Sequence, residues 1–211
     1  LKLAGYPDGH GRSHTHACEK ASTGVILEEN NMAGPIPPTD SHLDGQRITI
    51  RPISSADSDL EVAFIDRLSP LTKHYRFLGG MHHVSEQLLK EFCNVDFDQT
   101  AAFIATTRVD GKEREIGVAR YAPCSTDNAR EMAITIADGW QDKGLDVLLA
   151  KQLIDFSKSR GVQTLYSIDL ADNMHMHQLA DDLGMSSKHD PDDPHQVIYT
   201  LALDPTGNQS L

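Results

Sequence analysis

Between residues 131 and 156 the chain changes its hydrophobic period across one short polar loop. Glu131-Met132-Ala133-Ile134-Thr135-Ile136-Ala137 alternates, with Glu131, Ala133 and Thr135 on one face of a strand and Met132, Ile134 and Ile136 on the other. After Asp138-Gly139-Trp140-Gln141-Asp142-Lys143-Gly144, the residues Leu145, Leu148, Leu149, Leu153 and Phe156 recur at helical spacing, and Gly161 ends the run. A strand feeding a helix through so short a loop commits this part of the chain to a sheet with a helix packed on it. It also sets the backbone N–H groups of the loop at a helix N-terminus, where orphan donors and the macrodipole favour phosphate. On these residues alone, a pyrophosphate site and an ordinary strand-to-helix connection both stand.

The same reading organises the chain from Arg47 onward. Arg47-Ile48-Thr49-Ile50-Arg51-Pro52-Ile53 reads as a strand ending at proline. A helix is predicted over 60–68, with Leu60, Phe64, Ile65 and Leu68 on one stripe and Ser69-Pro70 as its stop. Residues 75–80 read as a loop, and 85–93 as a second helix with Leu88, Leu89 and Phe92 at helical spacing. The runs 101–107 and 115–121 join through Asp110-Gly111, a hairpin signal, and 131–137 continues the meander as a fourth strand. Then follow a buried strand over 163–170, a helix marked by Met176, Leu179, Ala180 and Leu183 and closed by Gly184, and a last strand over 196–203. Strands first, then β-α-β-α-β, predict an α/β (α+β) class with a mixed sheet and helices packed on it.

Residues 1–46 hold six of the 15 Gly and four of the ten Pro without sustained periodicity, so they read as a flexible segment or linker before a domain at 47–205, with 206–211 as a tail. His10, His14, His16 and Cys18 crowd together there, but neighbouring ligand types in a Gly-rich segment are more often incidental than a metal site, so no metal is expected. Lys+Arg 19 against Asp+Glu 31 gives a net charge of −12, which disfavours a nucleic-acid partner. No apolar run approaches the ~20 residues of a membrane span, and three widely spaced cysteines suit a reducing compartment, so a soluble, cytoplasmic protein away from membranes is expected.

The stretch from Arg47 to Leu203 resembles the GNAT family of acyl-CoA-dependent N-acyltransferases in element order and in motif. The family's pyrophosphate loop, Gln/Arg-x-x-Gly-x-Gly/Ala, corresponds to Gln141-Asp142-Lys143-Gly144-Leu145-Asp146, and Asn173, Met176, Leu179 and Leu183-Gly184-Met185 are similar to its next helix. A narrower likeness, to the GNAT domain of bacterial protein lysine acetyltransferases, rests on Arg51-Pro52, Leu68-Ser69, Tyr75-Arg76-Phe77, Asp96, Ile116-Gly117-Val118-Ala119-Arg120 and Glu131-Met132-Ala133. The resemblance implies a GNAT fold, with a mostly antiparallel central sheet and helices on both faces. It implies acetyl-CoA as co-substrate, held by the strand backbone around Ile134 and Ile136, by the loop from Gln141 to Asp146, and by Asn173. It implies an amine acceptor, a small molecule or a protein lysine, and Glu131 as the general base. A homodimer is compatible with it.

The chemistry agrees with that assignment, because a protonated amine with a pKa near ~10.4 must lose its proton before it attacks a thioester. A carboxylate buried beside the cofactor serves as that base, directly or through water, and strand N–H groups polarise the thioester carbonyl. Two positions depart from the family pattern. Asp146 stands where the family has Gly or Ala, and brings a negative charge to the phosphate site unless it turns away or pairs with Lys143. Ala180 stands seven residues after Asn173, where many members carry a tyrosine acid, so the leaving group is expected to depart as thiolate. These departures also admit a second reading, a non-catalytic GNAT-like module that senses CoA or mediates an interaction.

Overall fold

The computed structural model describes residues 36–78, 85–124 and 128–203; His10, His14, His16 and Cys18, the pair Gly79-Gly80 and the expected tail at 206–211 lie outside them. Within the described residues the strands are β1 (Thr39–Leu43), β2 (Gln46–Pro52), β3 (Ala101–Val109), β4 (Lys112–Pro123), β5 (Ala129–Ile136), β6 (Thr164–Leu170), β7 (Ser186–His189) and β8 (Gln196–Ala202). The helices are α1 (Ser58–Arg67), α2 (Pro70–Arg76), α3 (Glu86–Cys93), α4 (Leu145–Ser159) and α5 (Met174–Asp182). One sheet runs in the order β1-β2-β3-β4-β5-β6-β8-β7. Every neighbouring pair is antiparallel except β5 and β6. That exception follows from connectivity, since α4 carries the chain over the sheet and returns it in the same direction. No helix among the described residues is long and apolar enough to cross a membrane.

Alternation along the strands divides the core in two. On one face, Ile104, Val118 and Ala102 meet Phe64, Ile65 and Phe92 from α1 and α3. On the other, Phe103, Tyr121, Met132 and Leu165 meet Leu149, Leu153 and Phe156 from α4 and Leu179 from α5. The α/β architecture with helices on both faces is therefore as expected, and three elements go beyond the sequence reading. β1 lies inside the segment read as linker: Asp44-Gly45, at φ 50° and 74°, forms a tight turn that pairs β1 with β2. α2 occupies residues read as a helix stop and loop, because Pro70 opens a new helix whose N-cap, Ser69, accepts from the Thr72 N–H. β7 is an edge strand with every residue exposed, so its sequence carries no apolar alternation.

A cluster of buried charge ties α1 and α2 to the sheet. Glu61 of α1 is 0% exposed, and its Oε1 accepts from Arg76 Nη2 at 2.8 Å and Arg120 Nη2 at 3.2 Å. Arg76 Nη1 donates to Thr135 Oγ1 at 2.9 Å, linking α2 to β5. Burial pushes Arg76 down to about 10, still well above neutrality. Glu115, on β4 and also 0% exposed, is raised well above the carboxylate range, first by burial and then by the charge and hydrogen bond of Glu61. Neither Glu115 oxygen nor Glu61 Oε2 has a partner among the N–H and O–H donors, and a carboxyl proton on Glu115, given to Glu61, serves two of these three oxygens.

Two stability predictions follow. A Cβ at Gly117 of β4 would stand 2.9 Å from Ile136 Cδ1, 3.0 Å from Leu149 Cδ1 and 3.3 Å from the Thr135 carbonyl oxygen. Gly117→Ala is expected to lower unfolding free energy by about 1–3 kcal/mol in a denaturant titration. The second concerns pH. Glu115 binds a proton when folded and releases it when unfolded at any pH between its ordinary and its raised pKa, so stability falls as pH rises through that window. Glu115→Gln keeps a donor toward Glu61 without the linked proton. The wild type is expected to lose stability relative to this variant from pH 5 upward, by at most about 1.4 kcal/mol per pH unit, and equal slopes would refute the buried acid.

Candidate active site

The parallel ladder between β5 and β6 holds for three residue pairs only, Ala129–Thr164, Arg130–Leu165 and Glu131–Tyr166. Beyond them the strands diverge and leave a cleft of about 190 Å³. β5 lines it with Ala133, Ile134, Thr135 and Ile136, and β6 with Ser167, Ile168 and Asp169. Asn173 and Met176 enter from α5, and Thr72, Tyr75 and Arg76 from α2. The loop after β5 is pinned to α2: Asp138 accepts from Ser69 N–H at 2.9 Å and Thr72 Oγ1 at 2.8 Å. Partial burial pushes the Asp138 carboxyl up, and those donors more than offset it, leaving its pKa lowered.

Six of the residues expected to hold cofactor line this cleft: Ile134, Ile136, Gln141, Asp142, Asp146 and Asn173. Gln141 Nε2 donates to Ile136 O at 3.2 Å and Thr72 Oγ1 at 3.3 Å, which folds the loop back on the strand end. Asn173 caps α5, its Oδ1 accepting from Met176 N–H at 3.3 Å while its Nδ2 donates to Asp169 Oδ1 at 3.0 Å. Gly144 is the N-cap of α4 at φ 81°, a conformation that favours glycine. Leu145 is fully buried under it. Neither borders the cleft, nor does Lys143, whose Nζ is 2.8 Å from Asp44 Oδ2 and 5.5 Å from the Trp140 ring centre.

Asp146 therefore does not pair with Lys143. Its Oδ1 accepts the Val147 N–H at 2.9 Å, so it fills one of the free donors of its own helix terminus. Asp142, in the left-handed region at φ 59°, has its Oδ1 3.2 Å from His175 Nδ1. The end of the cleft beside the loop after β5 thus carries two carboxylates. His177 is within hydrogen-bond distance of Tyr199 OH at 2.7 Å and of Ala171 O at 3.0 Å. Among the described residues, no group of three or more His, Cys, Asp or Glu is arranged to hold a metal ion.

Glu131 is 5% exposed and lies at the apex of the divergence, outside the cleft lining. It shares a face with Ala133 and Thr135, the nearer of which is about 7 Å along the strand. Its neighbour across the ladder, Tyr166, is raised first by burial and then by the Glu131 charge, and hydrogen-bonds with both Glu131 and Cys124. Ala180, at the place of the family's tyrosine, is buried in the core. A phenol reaches the cleft from elsewhere: Tyr75 of α2 donates to Asp172 O at 3.4 Å, and burial raises its pKa. Tyr75, Arg76 and Arg120 stood in motifs noted in the sequence, but α2 was unseen there, so nothing pointed Tyr75 or Arg76 into a cleft.

No family model matches the chain. A Pseudomonas aeruginosa protein named as an acetyltransferase is 44% identical over 160 residues, 76% of this chain and 86% of the relative. Among solved structures, the GNAT domain of S. lividans PAT superposes with a TM-score of 0.70 at 23% identity, over 79% of this chain and 97% of that one. The ribosomal-protein-S18-alanine N-acetyltransferase of Escherichia coli gives 0.56 at 18% identity, over 78% and 99%. The fold, with its cleft between two diverging parallel strands, and the 44% identical acetyltransferase agree: the chain belongs to the GNAT family of N-acetyltransferases.

Proposed function

We propose that the protein transfers an acetyl group from acetyl-CoA to an amine, a small molecule or a protein lysine, by direct attack with Glu131 as general base. The observation that carries this reading is the wedge itself. Past Glu131 no ladder joins β5 to β6, so the β5 edge at residues 132–136 faces a cleft instead of a strand. That edge fits the amide-rich pantetheine arm of acetyl-CoA, with Ile134 and Ile136 beside it and Asn173 opposite. The phosphate end fits less well, because Asp142 and Asp146 would meet like charge there. Acetyl-CoA supplies a thioester carbonyl open to an amine and a thiolate leaving group.

The chain's own residues supply proton handling. Glu131, buried at the apex and held by Tyr166, accepts the ammonium proton directly or through water along the face it shares with Ala133 and Thr135. Tyr75, whose pKa burial raises, is the phenol available to the departing thiolate in place of the residue replaced by Ala180. A second reading, a CoA-sensing or interaction module without turnover, is favoured by one observation: Asp146 caps its own helix and Lys143 is spent on Asp44, so the loop offers phosphate little net attraction.

Titration calorimetry with acetyl-CoA separates the two readings. Micromolar binding by the wild type, followed by CoA release with an amine acceptor, supports the enzyme. Absence of binding, with rescue by Asp146→Gly, supports the lost site. In the enzyme reading, Asp146→Gly is expected to tighten binding about five- to tenfold, as removal of ~1 kcal/mol of charge repulsion requires. Glu131→Gln is expected to lower kcat by about 10²–10³ while acetyl-CoA affinity holds, and an unchanged kcat would remove Glu131 from the mechanism.

A further inference from the structure

We propose that Arg76 and Arg120 form a carboxylate-binding subsite in the cleft, so that one of the two substrates, acceptor or acyl donor, carries a carboxylate. The inference rests on the acyl-transfer reading for what enters the cleft, but its evidence is separate. Both guanidiniums line the cleft, and their side chains are only 6% and 7% exposed. Both donate to the same oxygen, Oε1 of Glu61. Among the described residues, no other carboxylate lies within ion-pair distance of either.

Both guanidiniums share one carboxylate oxygen, and the neighbouring Glu115, whose pKa burial and the Glu61 charge raise, forms an ion pair with neither. Arg67, which donates to the Glu115 carbonyl oxygen at 3.1 Å, adds a further cation nearby. The four carboxylates elsewhere in the cleft have other partners: Asp138 with Ser69 and Thr72, Asp169 with Leu170 N–H and Asn173, Asp142 with His175, and Asp146 with Val147 N–H. A cation buried beside an opening is costly unless an anion joins it.

The two side chains are also held in place for such a ligand. Arg76 and Arg120 lie over Phe92, 5.3 and 4.3 Å from the ring centre, and Arg76 lies 5.4 Å from that of Phe77. Each guanidinium also carries a buried Nε–H without an acceptor. The planar fork of a guanidinium matches a carboxylate. Two sources carry that group: the α-carboxylate of an amino-acid acceptor, or the terminal carboxylate of a dicarboxylic acyl donor.

The test measures CoA release by the full chain in two matched series. In one, acetyl-CoA meets amino acids and their carboxamides; in the other, succinyl-CoA is compared with acetyl-CoA on an uncharged amine. One series is expected to favour the carboxylate form by at least about tenfold in kcat/KM, the scale of a charged hydrogen bond, and it identifies the source. Arg76→Gln is expected to bring that ratio near one. The ratio is taken within each variant, so partial loss of folded protein cancels, and Arg76→Lys, which keeps charge without the fork, should fall between. Succinate titrated calorimetrically into wild type and Arg76→Gln gives a readout free of turnover, with a heat expected only in the wild type. Succinate binding without acetyl transfer would refute the acyl-transfer reading and keep the subsite. Turnover at a ratio near one in both series, or no succinate heat in the wild type, overturns the subsite.

Discussion

The site depends on the shortness of one parallel ladder. β5 and β6 are the single parallel pair in an otherwise antiparallel sheet, and they hold each other for only three residues. β5 stays bound to β4 through Ile136, while β6 turns with β8, so each strand remains in a sheet after leaving the other. A cleft made this way costs few unpaired backbone groups on its outer sides and exposes one strand edge where a ligand's amides can bond. The connection through α4 sets the pair parallel, because the helix lies over the sheet and brings the chain back to start β6 in the direction of β5.

The wall of the cleft on the α2 side is fixed by charge more than by apolar packing. α2 has no fully buried residue, and what binds it to the sheet is Arg76 on Glu61 and Thr135, Ser69 and Thr72 on Asp138, and Gln141 on Thr72. Such contacts are directional, so they set α2 against β5 in one register where a greasy helix could slide. The same network brings two glutamates, one with a raised pKa, and two arginines into one buried place. Replacing one member unsettles the others, since each partner left behind is a desolvated polar group.

Periodicity carried most of the fold. The strands of the central meander, α4 and the β6-α5-β8 unit all bury an apolar stripe or alternate, and those were readable. What escaped had no apolar signature. β1 and β7 are exposed edge strands, although Asp44-Gly45 was a turn signal in plain view. α2 escaped because Ser69-Pro70 serves both as the end of α1 and as the cap and first turn of the next helix. At the site, residues close in sequence to the strand-loop-helix unit were legible, as Ile134, Ile136, Gln141, Asp142 and Asp146 are. The cluster of Glu61, Arg76, Glu115 and Arg120 was not, because its members meet only when α1, α2 and β4 pack, with Arg120 59 residues from Glu61.

The loop from Gln141 to Asp146 shows why local pattern alone does not decide a ligand. Gly144 has the backbone the motif requires, and α4 begins where it should, so the geometric half of an anion site is present. The electrostatic half is altered. One helix N–H is already bonded to Asp146, the nearby lysine faces Asp44, and Asp142 adds its own charge beside His175. A phosphate bound here would compete with that hydrogen bond and meet about 1 kcal/mol of repulsion per nearby solvated charge. Binding energy for an acyl-CoA would then have to come from the β5 edge and the apolar wall of Ile134 and Ile136, where the fold has kept the cleft intact. On this account, affinity responds more to the reach of the pantetheine arm along β5 than to the nucleotide at the loop.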